Sequence, residues 1–125
     1  MSQRILVVSP DDASLNGTLN ILNRAGFEAV GAATFEEASQ ALFHATPDLL
    51  IADERLGAFN GLHLVLRGRA VYPLMRAIVT TNNRDTVLES DARDLNTLCF
   101  IKPADPREWL GPVCRTLETP FLMSA

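Results

Sequence analysis

Short apolar runs alternating with segments of helical periodicity constrain this chain more than any other feature. Residues 5–8, 49–52, 77–80 and 98–101 read ILVV, LLIA, AIVT and LCFI, each too short for a buried helix and rich in strand-forming residues. A weaker run, residues 28–32, follows the turn signal at Gly26. Between these runs the pattern changes period. Asp11 or Asp12 can cap a helix in which Leu15, Leu19 and Leu22 recur at helical spacing, with Gly26 just past its end. Thr34 is placed to cap residues 35–44, with Glu36 and Glu37 where the helix dipole favours acids. A third helix is expected after Gly61, carrying Leu62, Leu64, Val65 and Leu66, and a polar fourth over residues 84–94. Asp105 caps the last, with Pro106 at its first position and Trp109, Val113 and Leu117 facing inward. Pro112 lies inside that helix and is expected to kink it.

Strands alternating with helices imply βαβ units with right-handed crossovers. The predicted fold is therefore α/β, a doubly wound five-stranded parallel sheet, and fully apolar strands fit a sheet covered on both faces. At 125 residues and 47% hydrophobic content the chain suits a single domain over residues 1–125, with a core at about residues 4–118 and a short tail. The net charge of −4 and a single lysine, Lys102, argue against direct nucleic-acid binding. No run approaches a membrane span or a signal-peptide core, so no membrane association is expected. Cys99 and Cys114 are too few and too far apart for a zinc site or a redox pair, and suit reduced thiols in the cytoplasm.

In a doubly wound sheet, ligands bind at the carboxyl ends of the strands, where strand order reverses. Those ends carry the polar residues of interest. The first run ends in Ser9, Pro10, Asp11 and Asp12, the third ("LLIADE") in Asp53, the fourth ("AIVTTNN") in Thr80 and Thr81, and the fifth ("CFIKP") in Lys102 before Pro103. A carboxylate, a hydroxyl and an ammonium converging on one crevice suit attack on a phosphoryl donor, with the last two stabilising the transferred oxygens.

With these residues in this order, residues 4–117 resemble the receiver domain of bacterial response regulators. The resemblance implies a flavodoxin-like sheet of order 2-1-3-4-5. It makes Asp53 in "LLIADERLGAFNG" the phosphoacceptor, Thr80 the hydroxyl residue, and Lys102-Pro103 a Lys-Pro motif whose peptide bond is cis. It implies phosphoryl transfer from a histidine kinase or phosphotransfer protein, with a downstream protein target and no enzymatic activity beyond self-catalysed transfer to and from Asp53. It also implies Mg²⁺ held by Asp53 and the backbone carbonyl of Arg55.

The sequence departs from that pattern at telling positions. Ser9 and Pro10 stand where the family's two metal-holding acids belong, which predicts weak Mg²⁺ binding, since Mg²⁺ demands near-octahedral oxygen ligation. Asp11 can reach in as a substitute ligand or simply cap the first helix. Arg55 is either a compensating cation beside Asp53 or a solvated loop arginine. Gly57 replaces the proline usual in the following loop, and Thr81 is larger than the small residue usual beside the hydroxyl. Cys99 occupies the switch position of a rotating aromatic, paired with Thr80, while Phe100 points to the opposite face. The alternative reading is thus a pseudo-receiver, a phosphorylation-independent interaction module. A flavin or nucleotide enzyme on this fold lacks its Gly-rich loop after the first strand. His44 and His63 show no ligand or triad spacing. Without an effector domain after the last helix, output is expected through the face of the fourth helix, fifth strand and fifth helix, carrying Arg93, Cys99 and Arg107, and to depend weakly on the state of Asp53.

Overall fold

Each apolar run becomes a strand of one sheet. In the computed structural model, which describes residues 3–118, these are β1 (Arg4–Val8), β2 (Glu28–Ala32), β3 (Leu49–Asp53), β4 (Arg76–Thr81) and β5 (Leu98–Ile101). All neighbours run parallel, in the order β2-β1-β3-β4-β5. The predicted α/β class and strand order both hold. The chain passes from β1 outward to β2, then back across to β3, so strand order reverses between β1 and β3.

Helices cover both faces: α1 (Asp12–Arg24), α2 (Phe35–His44), α3 (Gly61–Val71), α4 (Thr86–Asp94) and α5 (Leu110–Glu118). The two-residue period of the strands divides the core in two. Leu6, Val8, Leu50, Ala52 and Val79 pack with Leu42, Leu64, Val65 and Leu88 of α2, α3 and α4. Ile5, Val7, Leu49, Ile51 and Ile78 pack on the other side with Leu15, Leu22, Val113 and Leu117 of α1 and α5, and with Trp109. Because β1, β3 and β4 are buried on both faces, their sequences show no polar alternation.

The helix starts follow the sequence closely. Asp11, rather than Asp12, caps α1 by accepting from the backbone N–H groups of Ala13 and Ser14. Thr34 caps α2, Asp85 caps α4, and Asp105 caps a 3₁₀ turn, Pro106–Trp109. That turn corrects the expected kink at Pro112. The segment is two elements, and Pro112 falls in the first turn of α5, where the missing N–H breaks no intrahelical bond. His63, which the sequence left without a role, reciprocates the Asn60 cap of α3 by accepting the Asn60 N–H on Nδ1.

An element absent from the sequence reading lies between β3 and α3. Arg55–Leu56 pairs antiparallel with Phe59–Asn60, and Gly57 turns the chain with φ +65°. Proline, fixed near −65°, cannot take that conformation, which explains the glycine here. At the far end of the sheet, the Arg69 guanidinium donates to the carbonyls of Met75, Leu95 and Asn96, tying α3 to the end of α4.

The first residue of α3 closes against the tip of β3. A Cβ on Gly61 would run into the carbonyl oxygen of Asp53 and the side chain of Ala52. Gly61→Ala is expected to lower stability by about 1–3 kcal/mol, the usual cost of overpacking, read from urea unfolding midpoints. Gly68→Ala, which meets the flexible end of Met75 and touches Leu42 at ordinary contact distance, should cost less.

Candidate functional site

Four strands deliver one residue each to a common point. Register sets the arrangement: β3 and β4 align Asp53 with Thr80, while Val8 opposite Ala52 places Ser9 next to Asp53. Ser9 is anchored at the end of β1 by its N–H, which donates to the Ala32 carbonyl at 3.1 Å. The Lys102 N–H donates to the Thr81 carbonyl at 2.9 Å, which extends the β4–β5 ladder to the lysine.

The three side chains converge on the Asp53 carboxylate. Thr80 Oγ1 donates to Oδ1 at 2.6 Å. Ser9 Oγ and Lys102 Nζ both donate to Oδ2, each at 2.8 Å. Ser9 and Thr80 are almost wholly buried, at 2% and 1% exposure, whereas the Asp53 and Lys102 side chains keep 16% and 18%. The aspartate and lysine thus form a partly buried, charge-compensated pair opening onto a crevice of about 670 Å³. Pro10, Asp11, Arg55, Thr81 and Asn83 help to line it.

The structure brings together Asp53, Thr80 and Lys102, as the sequence predicted. Ser9, read from the sequence only as a lost acid, is the residue that reading missed. The signal was its place one step beyond the β1 core, in register with the acceptor.

One open alternative is resolved and one expectation is corrected. The cation paired with Asp53 is Lys102; Arg55 is exposed in the two-residue ribbon, and no ion pair between it and Asp53 occurs among the described residues. The Lys102–Pro103 peptide is not cis, since no cis peptide bond occurs among the described residues. Trans is the intrinsically preferred X–Pro isomer, by about 0.5–1 kcal/mol, and lysine reaches Asp53 with it.

Asp53, Asp11 and Arg55, the residues of the candidate Mg²⁺ donors, all line the crevice, and both carboxylates already accept hydrogen bonds. Asp53 accepts three hydrogen bonds, one from an ammonium, and Asp11 Oδ1 is held by two N–H groups of α1. Among the described residues no group of three or more His, Cys, Asp or Glu side chains could hold a metal ion.

Cys99 packs against the α4 side of the sheet and Phe100 against Trp109 on the other, as the strand period requires. Burial, reinforced by the negative charges of Glu89, Glu54 and Asp85, pushes the Cys99 thiol above its ordinary pKa. A smaller thiolate fraction slows alkylation. Limited treatment with iodoacetamide near neutral pH is therefore expected to modify the exposed Cys114 before Cys99, as peptide mass mapping would show.

A doubly wound sheet with an aspartate at its switch point, bridged to a threonine and a lysine from the next two strands, defines a receiver-type domain. No family model matches the chain. It is 36% identical over 118 residues to the DNA-binding response regulator MtrA of Mycobacterium tuberculosis, covering 90% of this chain and 50% of that protein. It is 25% identical over 107 residues to sporulation initiation phosphotransferase F of Bacillus subtilis, covering 84% and 86%. Among solved structures, a CheY-like response regulator receiver domain protein from Methanospirillum hungatei matches with a TM-score of 0.85 at 26% identity, covering 94% of this chain and 95% of that one. These relatives and the shared fold support a response regulator receiver domain. It spans about half the length of the MtrA relatives it matches.

Proposed function

We propose that Asp53 accepts a phosphoryl group from a histidine kinase or phosphotransfer protein. The observation that carries this reading is the Asp53 carboxylate held at the switch point by Thr80 and Lys102. A carboxylate oxygen has about two acceptor positions. Those of Oδ2 are filled by Ser9 and Lys102, whereas Oδ1 accepts only from Thr80 and keeps one for attack. The Oδ1–P bond forms as the donor P–N bond breaks, and a phosphohistidine protonated on its other ring nitrogen leaves as neutral imidazole. Lys102 and Thr80 then stand beside the oxygens of the transferred group. Transfer to and from Asp53 is the only reaction proposed.

Output is proposed to reach a protein target through α4, β5 and α5, where Val87, Leu98 and Ile101 expose apolar surface. The net charge of −4 favours a protein target over nucleic acid for this segment. No helix among the described residues is long and apolar enough to cross a membrane, and a cytoplasmic site of action is proposed. The pseudo-receiver remains a second reading, favoured by the Ser9–Asp53 hydrogen bond in place of an acidic pair.

Treatment with a small acyl phosphate, followed by intact mass, tests the acceptor. The wild type is expected to gain one phosphoryl group and Asp53→Asn none. Lys102→Met should react at least tenfold more slowly, about 1.4 kcal/mol in the barrier. Modification of Asp53→Asn at the wild-type rate would sink the assignment.

The response to phosphorylation is expected to be local. Thr80 is already bonded to Asp53, and Cys99 has too little bulk to report a movement of that hydroxyl. A modification shifts a conformational equilibrium only through differential interaction with its two states. Amide NMR before and after phosphorylation should show large shifts at Asp53, Thr80 and Lys102, and small ones at Arg93 and Arg107.

A further inference from the structure

The Ser9 hydroxyl and the Lys102 ammonium converge on one oxygen, Asp53 Oδ2, at equal distances of 2.8 Å. We propose that these two groups stand in for a divalent cation, so that Asp53 takes up phosphoryl groups without Mg²⁺. The uptake half rests on the acceptor reading above; the exclusion of the cation stands on the crevice alone.

Charge and geometry both favour it. A Mg²⁺ ion sits about 2.0–2.1 Å from its oxygens and is held by carboxylates. At Oδ2 it would have to displace either a neighbouring ammonium of like charge or a hydroxyl donor. At Oδ1, which keeps one free position, it would share the carboxylate with the Lys102 ammonium and sit beside the Thr80 hydroxyl. Displacing Lys102 would leave its ammonium partly buried beside the incoming cation, and neither would find compensation in the one carboxylate. Displacing Ser9 is no easier. The residue is buried, its N–H is held by Ala32, and its Oγ also accepts the Asp11 N–H at 3.2 Å. Its hydroxyl proton points to Asp53, so Ser9 presents a donor where a metal site needs a lone pair.

The other carboxylates lining the crevice are Asp11, Glu54 and Asp85; two of them cap helices, and no three acidic groups among the described residues are placed to share a cation. Pro10 has neither a carboxylate nor an N–H. The Asp11 carboxylate caps α1, and withdrawing it would leave the N–H groups of Ala13 and Ser14 without their acceptor. What remains is a crevice whose fixed cation is covalently part of the protein. Lys102 uses one of its three N–H donors on Asp53 and has two others for an incoming anion.

Three measurements on the same protein test this. Mg²⁺ titrated to millimolar concentration into the wild type, followed by calorimetry and by the amide resonances of Asp53 and Thr80, is expected to give no saturable binding. Saturation below the millimolar range would overturn the proposal. The phosphorylation rate with acyl phosphate is expected to agree within twofold in Mg²⁺ and in EDTA, and tenfold acceleration by Mg²⁺ would also overturn it. Ser9→Asp, with its fold checked by circular dichroism, should bind Mg²⁺ at least tenfold more tightly than wild type. Unchanged affinity in that folded variant would remove Ser9 from the exclusion. If Ser9→Asp does not fold, Ser9→Gly, which removes the donor without adding an acid, should bind Mg²⁺ more readily than wild type, and unchanged behaviour there would remove Ser9 from the exclusion. No modification in either Mg²⁺ or EDTA would refute Asp53 as acceptor and with it the uptake half, while the Mg²⁺ titration would still decide the exclusion.

Discussion

The constraint on which the structure depends is the burial of β3 on both faces and along both edges. Leu49, Leu50, Ile51 and Ala52 lie between two helical layers, with β1 and β4 hydrogen-bonded on either side. No backbone polar group in such a strand can turn to water, so its register against both neighbours is fixed. Asp53 is the first residue of β3 to leave that enclosure. Its carboxylate emerges between the ends of β1 and β4, where Ser9 and Thr80 are already aligned with it. The precision of the crevice is inherited from the core, and the polar residues add little to the positioning themselves.

That dependence explains what was legible in the sequence. Asp53, Thr80 and Lys102 could be found because each closes an apolar run, and runs covered on both faces must be parallel strands with aligned ends. The role of Ser9 was harder to see, because a hydroxyl can donate or accept and its direction depends on the group it faces. That group belongs to a strand 44 residues away in the chain. The place of Arg55 stayed open for a related reason. Its nearness to Asp53 in sequence left a contact open, but the short ribbon holds it exposed at the crevice, with Asp53 paired to Lys102. Two-residue pairings carry almost no periodic signal. Pro112 looked like a conflict only while its segment was read as one helix; a 3₁₀ turn ahead of it moves the proline into a first turn, where it fits.

The two faces of the sheet divide labour at β5. Cys99 joins the cluster shared with α2, α3 and α4, whereas Phe100 stacks toward Trp109 beside α5. The larger ring therefore stabilises the side away from α4. The small thiol lies beside Val79 on the α4 side, and Leu98 and Ile101 of the same strand expose apolar surface.

Arg69 gives α4 a mechanical asymmetry. Its guanidinium grips the carbonyls of Leu95 and Asn96 just past the C-terminal end of the helix, while the opposite end, at Asp85 and Thr86, borders the crevice. A rod clamped at one end pivots about the clamp, and its displacement grows with distance from it. Were α4 to move as a rigid body, its displacement would be smallest at residues 94–96 and largest at its first turn, the part that borders the crevice around Asp53.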